Sequence, residues 1–290
     1  SIKGIVVTSF FITQKIILYL QSIYIRMRVI EIMKIIEEWM PTSIAEDFDN
    51  VGLIIGDPQL EINSILVTLD TTEDVVEEAI SKDCNLIVSY HPIIFNGLKQ
   101  ITHDSSYVQK SVIKAVKNNI SVYAIHTSLD NHPNGISYIL SDLIGLKNIS
   151  TLIPKEEKLA DNNIGIGSIG ELENPMNETE FFDHLKNKLD LKYLRHTKKL
   201  NKKISKVSVV AGSGSFAIKN SIESNVDAFI TSDFKYHNFF EADSKALFID
   251  IGHYESEKHI KLVIKEFLNK KLPNFTILLS EMNINPVNYY

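Results

Sequence analysis

Hydrophobic residues recur along this chain in two patterns, one with helical spacing and one of short continuous runs. From Met27 the apolar positions 29, 30, 32, 33, 35 and 36 have helical spacing, and the pattern stops at Pro41. This predicts an amphipathic opening helix. A turn-rich segment follows at 45–56. Beyond it, short apolar runs alternate with further helical patterns, which is the order expected of βαβ units.

The alternation occurs twice. The first copy comprises strand 64–70, helix 73–81, strand 85–90, helix 108–118 and strand 121–126. The second copy comprises strand 207–211, helix 216–224, strand 227–231, helix 239–244 and strand 246–251. Strands joined by helices form mostly parallel sheets that are covered by helices on both faces. We therefore predict an α/β fold made of two pseudo-repeated α/β/α lobes.

Four segments follow from this organisation. Residues 27–150 form the first lobe, and 206–290 form a second lobe that completes the functional site. Residues 151–205 are predicted to be a connecting hairpin and helix segment. The helix is expected at 178–189, followed by a strand at 192–196. Glycines at 165, 167 and 170 superficially match a dinucleotide-binding pattern, but the compact strand-turn-helix context that such a site needs does not surround them.

The first 26 residues are predicted to be an upstream extension. Their apolar stretch, 5–20, is too short and too interrupted by polar residues to span a membrane. Met27 directly precedes the clean helical pattern, so we expect it to be the natural start. A membrane-surface anchor is the alternative interpretation.

Composition narrows the class of protein. Of the 290 residues, 44% are hydrophobic and 23% are charged, which is typical of globular proteins. The net charge of −6 argues against nucleic acid as a partner, since phosphate backbones are bound mainly by clustered Lys and Arg. The one basic run, 198–203, is interpreted as a solvated loop or strand flank. Cys84 stands alone, so no intrachain disulfide can form and a cytoplasmic location is expected.

Polar side chains lie at the ends of the predicted strands in both copies, namely Asp70, His91 and Asp130 in the first and Asp233, His237 and His253 in the second. His91 follows the second strand of the first copy, Asp130 follows the third strand, and His253 follows the last strand of the second copy. Ligands gather at the carboxyl ends of parallel strands. His253 and Glu257, spaced i and i+4, share one face if a helix begins there, so both can bind one ion. Mixed histidine and carboxylate ligands favour Zn²⁺, Fe²⁺ or Mn²⁺.

Each of these positions also has an alternative, purely structural interpretation. His253 could cap the helix start with Glu257 as a solvated charge, His91 could be a hydrogen-bonded turn residue, and Asp130 could be a turn cap. Asp130 is placed to bridge two cations, and His126 suits proton transfer or support of the ligands.

The loop at 211–215 lies between a predicted strand and a predicted helix. Its Gly212, Gly214 and Ser215 could let backbone N–H groups approach a phosphate at a helix N-terminus. A tight strand-to-helix turn with Ser215 as the cap is the alternative.

Five sequence blocks in order carry a family resemblance. They are AEDFDNVGL at 45–53, YHPIIF at 90–95, HTSLD at 126–130, GSGS at 212–215 and GHYESE at 252–257. With these blocks the chain resembles the GTP cyclohydrolase 1 type 2-like family, the Nif-three-like dinuclear metal proteins. The resemblance covers about 35–259.

The resemblance implies a two-lobed fold assembled as a homohexamer, with two divalent metal ions between the lobes. The ligand positions that it implies are Tyr90, His91, Asp130, His253 and Glu257. Tyr90 departs from the family, because many members have His there. The chain is also too short to contain the inserted domain of longer members.

Two functions remain open from the sequence. The leading hypothesis is a metal-dependent hydrolase that acts on a nucleotide or a related heterocycle, with His126 as the proton shuttle and His237 as an outer residue of the site. The alternative is a non-catalytic, hexameric metal-binding assembly or adaptor protein.

Overall fold

The structure is a computed structural model that describes residues 27–103, 105–155, 163–282 and 284–290. The predicted N-terminal extension and the prediction that the native chain starts at Met27 concern residues 1–26, which lie outside these ranges. Within them, no helix is both long enough and apolar enough to cross a membrane.

Strands and helices alternate through most of the chain. The strands are β1 (Met27–Arg28), β2 (Gly52–Ile55), β3 (Glu61–Ile62), β4 (Ile65–Thr68), β5 (Leu86–Ser89), β6 (Ser121–Ala124), β7 (Leu146–Pro154), β8 (Gly165–Asn177), β9 (Arg195–His196), β10 (Lys203–Ser213), β11 (Ala228–Ser232), β12 (Leu247–Asp250) and β13 (Ile277–Leu279). The helices are α1 (Val29–Trp39), α2 (Glu73–Ser81), α3 (Tyr107–Lys117), α4 (Thr127–Asp130), α5 (Ile136–Leu143), α6 (Glu178–Leu189), α7 (Ile218–Glu223), α8 (His253–Glu257) and α9 (Ile260–Lys271). Short 3₁₀ segments occur at Thr42–Ile44, Ser215–Ala217 and Tyr236–Ala242.

Two larger sheets form the two lobes. The first has the order β13-β4-β5-β6-β2, in which β2 is antiparallel to β6 and the other pairs are parallel. The second has the order β7-β8-β10-β11-β12-β9, with a parallel centre of β10, β11 and β12 and antiparallel pairs outside it. Strands β1 and β3 pair separately. This confirms the predicted α/β class with mostly parallel sheets at the centre of each lobe.

Helices cover both faces of the first sheet. Alternate residues of a strand point to opposite sides of the sheet, and in this sheet apolar residues point to both sides. Ile65 and Val67 pack with residues of α1 and α9, whereas Leu66 packs with residues of α2 and α3. In the second sheet, Val207 and Val209 pack with residues of α5 and α6 on one face, and Val210 packs with α7 on the other.

The strand pairing in the structure does not follow the predicted division into a connecting segment and a C-terminal lobe. The β7–β8 hairpin is part of the second sheet, since β8 pairs along the edge of β10 and satisfies backbone groups that would otherwise be exposed. Strand β13 returns to the first sheet beside β4. Helix α9 packs on that sheet through Ile260, Ile264 and Leu268. The sequence does not predict that β13 and α9 lie on the first sheet, because an apolar face does not specify which sheet covers it.

Most predicted elements occur, and the differences are local. Residues 239–244, predicted as a helix, lie largely in the 3₁₀ segment Tyr236–Ala242, and the strand predicted at 192–196 shortens to Arg195–His196. Strands β2 and β13 were not predicted.

Candidate metal centre

Two histidines and a glutamate from the two lobes meet at one point. His91 follows β5 in the first lobe, and α8 carries His253 and Glu257 directly after β12 in the second. Gly252, with φ +89°, turns the chain from β12 into α8, and the Ser256 N–H donates to the Gly252 carbonyl over 3.0 Å. The helix that the sequence predicted to begin at this position therefore forms, and it presents His253 and Glu257 on one face.

Glu257 Oε2 lies between the two imidazoles. It is 3.2 Å from His91 Nε2 and 3.1 Å from His253 Nε2. The Glu257 side chain is only 4% exposed, yet this oxygen forms no hydrogen bond of good geometry with any described residue. A cation coordinated by all three groups would balance the charge of this buried carboxylate.

The outward nitrogens of both histidines are held by carboxylates. His91 Nδ1 lies 2.9 Å from Asp70 Oδ1, and His253 Nδ1 lies 2.7 Å from Asp233 Oδ2. Metal-binding histidines usually have such a partner, which fixes the ring orientation and makes the other nitrogen a better ligand. Both Nε2 atoms are thereby directed to the Glu257 carboxylate.

The three groups perturb one another's protonation. Burial acts to lower the pKa of His91, but the carboxylates of Asp70 and Glu257 outweigh it and raise this pKa to about 10. His253 responds in the same way, with burial opposed by Asp233 and Glu257, and its pKa also rises to about 10. Burial acts to raise the pKa of Glu257, but its two histidine neighbours lower it to about 2. Without a cation, protons on the imidazoles neutralise this carboxylate.

The predicted ligands Tyr90 and Asp130 lie beside this cluster and bond to each other. The buried Tyr90 hydroxyl donates to Asp130 Oδ1. Desolvation raises the pKa of Asp130 to about 6, against the opposing effects of the His126 charge and the Tyr90 hydrogen bond. Among the described residues, only His91, His253 and Glu257 form a group of three or more His, Cys, Asp or Glu side chains whose ligand atoms all lie within 4.8 Å of one another.

His126 stands close to the cluster in a strained backbone conformation. Its φ is +34° and its ψ is −121°, a region that non-glycine residues adopt at an energetic cost, often at functional sites. Asp49 holds it there: Asp49 Oδ1 lies 2.7 Å from His126 Nδ1, and Asp49 Oδ2 accepts the Thr127 N–H over 3.0 Å. The His126 and His91 ring centroids are 5.3 Å apart.

The loop predicted as a phosphate cradle lines the same site in a different way. Gly212 has φ +67°, and a Cβ at this position would lie 2.4 Å from Glu257 Oε1. Its N–H donates to Ser256 Oγ over 2.9 Å, so it does not point to an open anion site. A Cβ on Gly214 would lie 2.2 Å from Thr231 Oγ1. Ser215 begins a 3₁₀ segment and forms no side-chain cap.

Several residues near the histidines were not recognised from the sequence as partners in the site. Asp70 and Asp233 each follow a strand. That position made them candidate site residues, but the sequence did not assign either of them a role. Asp49 contacts His126 across 77 residues of sequence, and no local pattern indicates such a pair. His237, predicted as an outer residue of the site, lies instead against Tyr236 and Phe240, while Asp233 contacts His253.

The donor set fits a divalent cation. Two imidazole nitrogens and one carboxylate oxygen are typical of Zn²⁺ sites that keep a position open for water, and they also suit Fe²⁺ and Mn²⁺. The buried Glu257 oxygen between two imidazole nitrogens and the carboxylate partners of both imidazoles are independent features in favour of such an ion.

Known proteins share the sequence and the fold of this chain. The model of the Duf34/NIF3 (NGG1p interacting factor 3) family matches residues 27–286. The GTP cyclohydrolase 1 type 2 homolog of Clostridium acetobutylicum is 36% identical over 268 residues, covering 91% of this chain and 99% of that protein. Its Staphylococcus epidermidis counterpart is 30% identical over 370 residues, covering 91% of this chain and 100% of that protein.

That second alignment is longer than this chain of 290 residues, so the S. epidermidis relative contains sequence that this chain lacks, as predicted. Solved structures give the same fold. A hypothetical protein of Staphylococcus aureus has a TM-score of 0.83 at 28% identity and covers 91% of this chain and 100% of that one. A Bacillus cereus protein related to NIF3 has a TM-score of 0.85 at 24% identity, with coverage of 91% and 99%. The chain is a member of the Duf34/NIF3 family.

Proposed function

We propose that this protein is a metal-dependent hydrolase that acts on a nucleotide or a related heterocycle. One observation carries the proposal: the buried Glu257 Oε2 lies within 3.2 Å of the Nε2 atoms of both His91 and His253. Carboxylates that hold both imidazoles by their opposite nitrogens support it. Histidines that bind a metal ion are usually oriented in this way.

Asp130 is proposed as the carboxylate that connects this position to a second ion. Its pKa near 6 means that it loses its proton readily at neutral pH, and His91 and Glu257 lie close enough to affect this pKa. Tyr90 donates a hydrogen bond to it. A second ion next to Asp130 would have Tyr90 as its neighbour, so a site for two Zn²⁺, Fe²⁺ or Mn²⁺ ions needs the tyrosine as a weak ligand or a different donor in its place.

The ions and the side chains of the protein would have different roles in the reaction. Bound divalent ions would lower the pKa of a coordinated water and polarise the bond that it attacks. His126 is proposed to hold and move the proton. Its Nδ1 is engaged by Asp49, and its Nε2 forms no hydrogen bond with a described residue. Asp49 orients the ring, as the carboxylate does in other acid–base pairs.

The alternative function is a non-catalytic metal-binding assembly. A closed coordination shell would favour it, whereas a cavity of about 280 Å³ opens beside His253 and favours access by a substrate. Assembly as a homohexamer and a cytoplasmic location remain predictions from the family resemblance and the composition. Light scattering coupled to gel filtration tests the first of these.

The experiment is metal analysis by inductively coupled plasma mass spectrometry on protein purified without chelators. Wild type is compared with His253→Ala and with a matched control, His103→Ala, which removes an exposed imidazole outside the site. We expect close to two ions per chain in wild type and control and a clear loss in His253→Ala. A nucleotide hydrolysis screen on the same samples tests turnover. No metal in any sample, before or after reconstitution, rules the proposal out, and bound metal without turnover supports the assembly function.

A further inference from the structure

The pocket that opens beside His253 adjoins the candidate metal centre on the side of the second lobe. It has a volume of about 280 Å³. His253 and Asp233, which also belong to the candidate metal centre, line it together with Arg195, Glu255 and Tyr289. Pockets that hold small molecules are typically about 300–1,000 Å³. The volume therefore suits a single ring system rather than a whole nucleotide.

Two tyrosines form an aromatic wall. The ring centroids of Tyr193 and Tyr289 are 5.2 Å apart and tilted by 39°, so they present one continuous apolar surface. Tyr193 precedes β9, whereas Tyr289 belongs to the C-terminal tail, beyond the 27–286 range matched by the family. The tail reaches the site closely: a Cβ on Gly252 would lie 3.4 Å from the Tyr289 hydroxyl. The C-terminal tail thus supplies a wall that the family match does not include.

The polar groups of the pocket include both donors and acceptors. Arg195 uses Nη2 for Asp250 and for the Phe234 carbonyl. Its Nε and Nη1 have no hydrogen bond within the described chain. Opposite charge is supplied by Glu255, whose Oε1 accepts from Asn285 over 3.3 Å. Gly252 leaves room for this side chain, since a Cβ there would lie 2.3 Å from Glu255 Oε2.

The charges select against a phosphate in this pocket. Asp233, Asp250 and Glu255 line it together with Arg195 and His253, so the carboxylates outnumber the cationic side chains and disfavour an anionic group. Free N–H donors on Arg195 match a carbonyl oxygen, and the Glu255 carboxylate matches an N–H. A flat aromatic wall matches the face of a heterocycle.

We propose that this pocket binds the ring of the substrate, a neutral planar heterocycle in which a carbonyl stands next to an N–H, and that Tyr289 of the C-terminal tail is a binding residue for that ring. The inference rests on the proposed hydrolase function, because it places the ring beside the ions. Any phosphate groups of the substrate extend out of the pocket.

Isothermal titration calorimetry of the metal-loaded, full-length protein tests this with three probes. Inosine has the carbonyl next to an N–H, adenosine has the opposite donor–acceptor order at that edge, and tripolyphosphate is an anion without a ring. We expect inosine to bind more tightly than adenosine. Tyr289→Ala and Tyr193→Ala should each weaken inosine binding roughly tenfold, as expected for loss of stacking on an aromatic side chain. Tyr289→Phe, which keeps the ring, should bind like wild type.

Tyr236→Ala is the matched control, because Tyr236 is an exposed tyrosine outside the pocket, and it should leave inosine binding unchanged. Glu255→Ala should reduce the preference for inosine over adenosine. Equal binding of inosine and adenosine by wild type, or unchanged inosine binding in Tyr289→Ala, overturns the proposal, as does tighter binding of tripolyphosphate that depends on Tyr289.

Metal analysis of the same samples separates the two proposals. If metal is bound but inosine binding is absent, the ring pocket is wrong and the hydrolase function stands. If metal is absent yet inosine binding is lost in Tyr289→Ala, the pocket stands and the metal chemistry is wrong.

Discussion

Gly212 lies so close to Glu257 that a Cβ at this position would force the carboxylate to shift. Its φ of +67° is a conformation that favours glycine, and a Cβ would lie 2.4 Å from Glu257 Oε1. The absence of a side chain at Gly212 therefore leaves room for the Glu257 carboxylate. Its N–H also donates to Ser256 Oγ, one residue before that ligand.

Gly212→Ala is expected to displace Glu257 and to lower metal affinity. The left-handed backbone alone costs about 1 kcal/mol with a Cβ, and the contact with the carboxylate adds to it. Gly145→Ala is the matched control, because Gly145 has φ +83° and a Cβ added there would meet nothing within 4 Å. Both variants should lose thermal stability, but only Gly212→Ala should lose bound metal. Equal metal content in both variants would show that the glycine is needed for the backbone only.

Metal binding is expected to release protons. In the absence of a cation, the carboxylate neighbours raise the pKa values of His91 and His253 to about 10, so both imidazoles hold a proton at pH 8. A cation takes their place, and we expect roughly two protons released per bound ion at this site. Apparent affinity should accordingly increase as pH rises toward 10.

The measurement is a titration of chelator-treated protein with Zn²⁺ in weak buffer containing a pH indicator. His103→Ala should release the same number of protons as wild type, and His253→Ala should release fewer. Zinc binding with no change in pH would contradict the charged state of the histidine pair.

Tyr90→His is expected to strengthen binding of a second ion. Tyr90 bonds to Asp130 at a position where the family resemblance led us to expect a His. An imidazole provides a nitrogen ligand without first losing a proton from a buried hydroxyl, whose pKa burial and the nearby carboxylates raise well above its usual range. Competition titrations with a chromophoric chelator should show a tighter second site.

Tyr123→His is the control for that exchange, since Tyr123 is also buried and its hydroxyl lies 3.2 Å from a carboxylate, Glu37. It should destabilise the fold without adding metal affinity. If Tyr90→His binds ions no better than wild type, position 90 is not a ligand position.

His126→Ala is expected to abolish turnover while metal content stays nearly intact. The ring is held by Asp49 rather than by the Glu257 cluster, so its removal leaves the three close ligand atoms in place. Loss of a proton-transfer group typically lowers the rate about 10²–10⁴-fold. Rates on any substrate found in the hydrolysis screen, measured beside ion content, provide the test. An unchanged rate would remove the proton-shuttle role, and loss of metal would make His126 a ligand.

The meeting of His91, His253 and Glu257 was predictable because parallel strands place their carboxyl ends at one edge. His91 and His253 follow strands of different repeats, and the i, i+4 spacing of His253 and Glu257 has its meaning within one helix turn. Both features can be found from residues that are close together in the sequence. The pairing of β13 with β4 and the contact of Asp49 with His126 join residues far apart in sequence, where no periodicity operates.

His237 was predicted as an outer residue of the site, but Asp233 is the residue that contacts His253. Prediction from sequence is therefore also limited for residues that are close together in the chain. Both residues follow β11, and side-chain chemistry alone favours the histidine at a metal site. The backbone decides otherwise: Asp233 has φ +59° and contacts both His253 and Ser213, whereas His237 lies in the 3₁₀ segment that follows. A turn conformation of this kind has no dependable sequence pattern when the residue is not glycine.

Asp49→Asn is expected to lower stability by an amount that depends on pH. Burial acts to raise the pKa of Asp49, but hydrogen bonds from His126 and Thr127 outweigh it and lower the pKa from 3.8 to about 2. A carboxylate with a lowered pKa stabilises the folded state fully above its unfolded pKa, and that contribution is lost as pH falls through the folded value. The cost of the substitution should be about 2 kcal/mol at pH 6 and should decrease between pH 4 and about 2.

Urea unfolding of wild type and Asp49→Asn at a series of pH values measures this difference. Asp142→Asn serves as the control, because Asp142 is exposed on α5 and its substitution should have little effect at any pH. The pair with His126 makes a further distinction. In the His126→Ala background the Asp49 substitution should cost less, since the hydrogen bond between the two side chains is already gone. Full additivity of the two substitutions would mean that Asp49 stabilises the loop through Thr127 alone, and the strained backbone at His126 would then need another source of support.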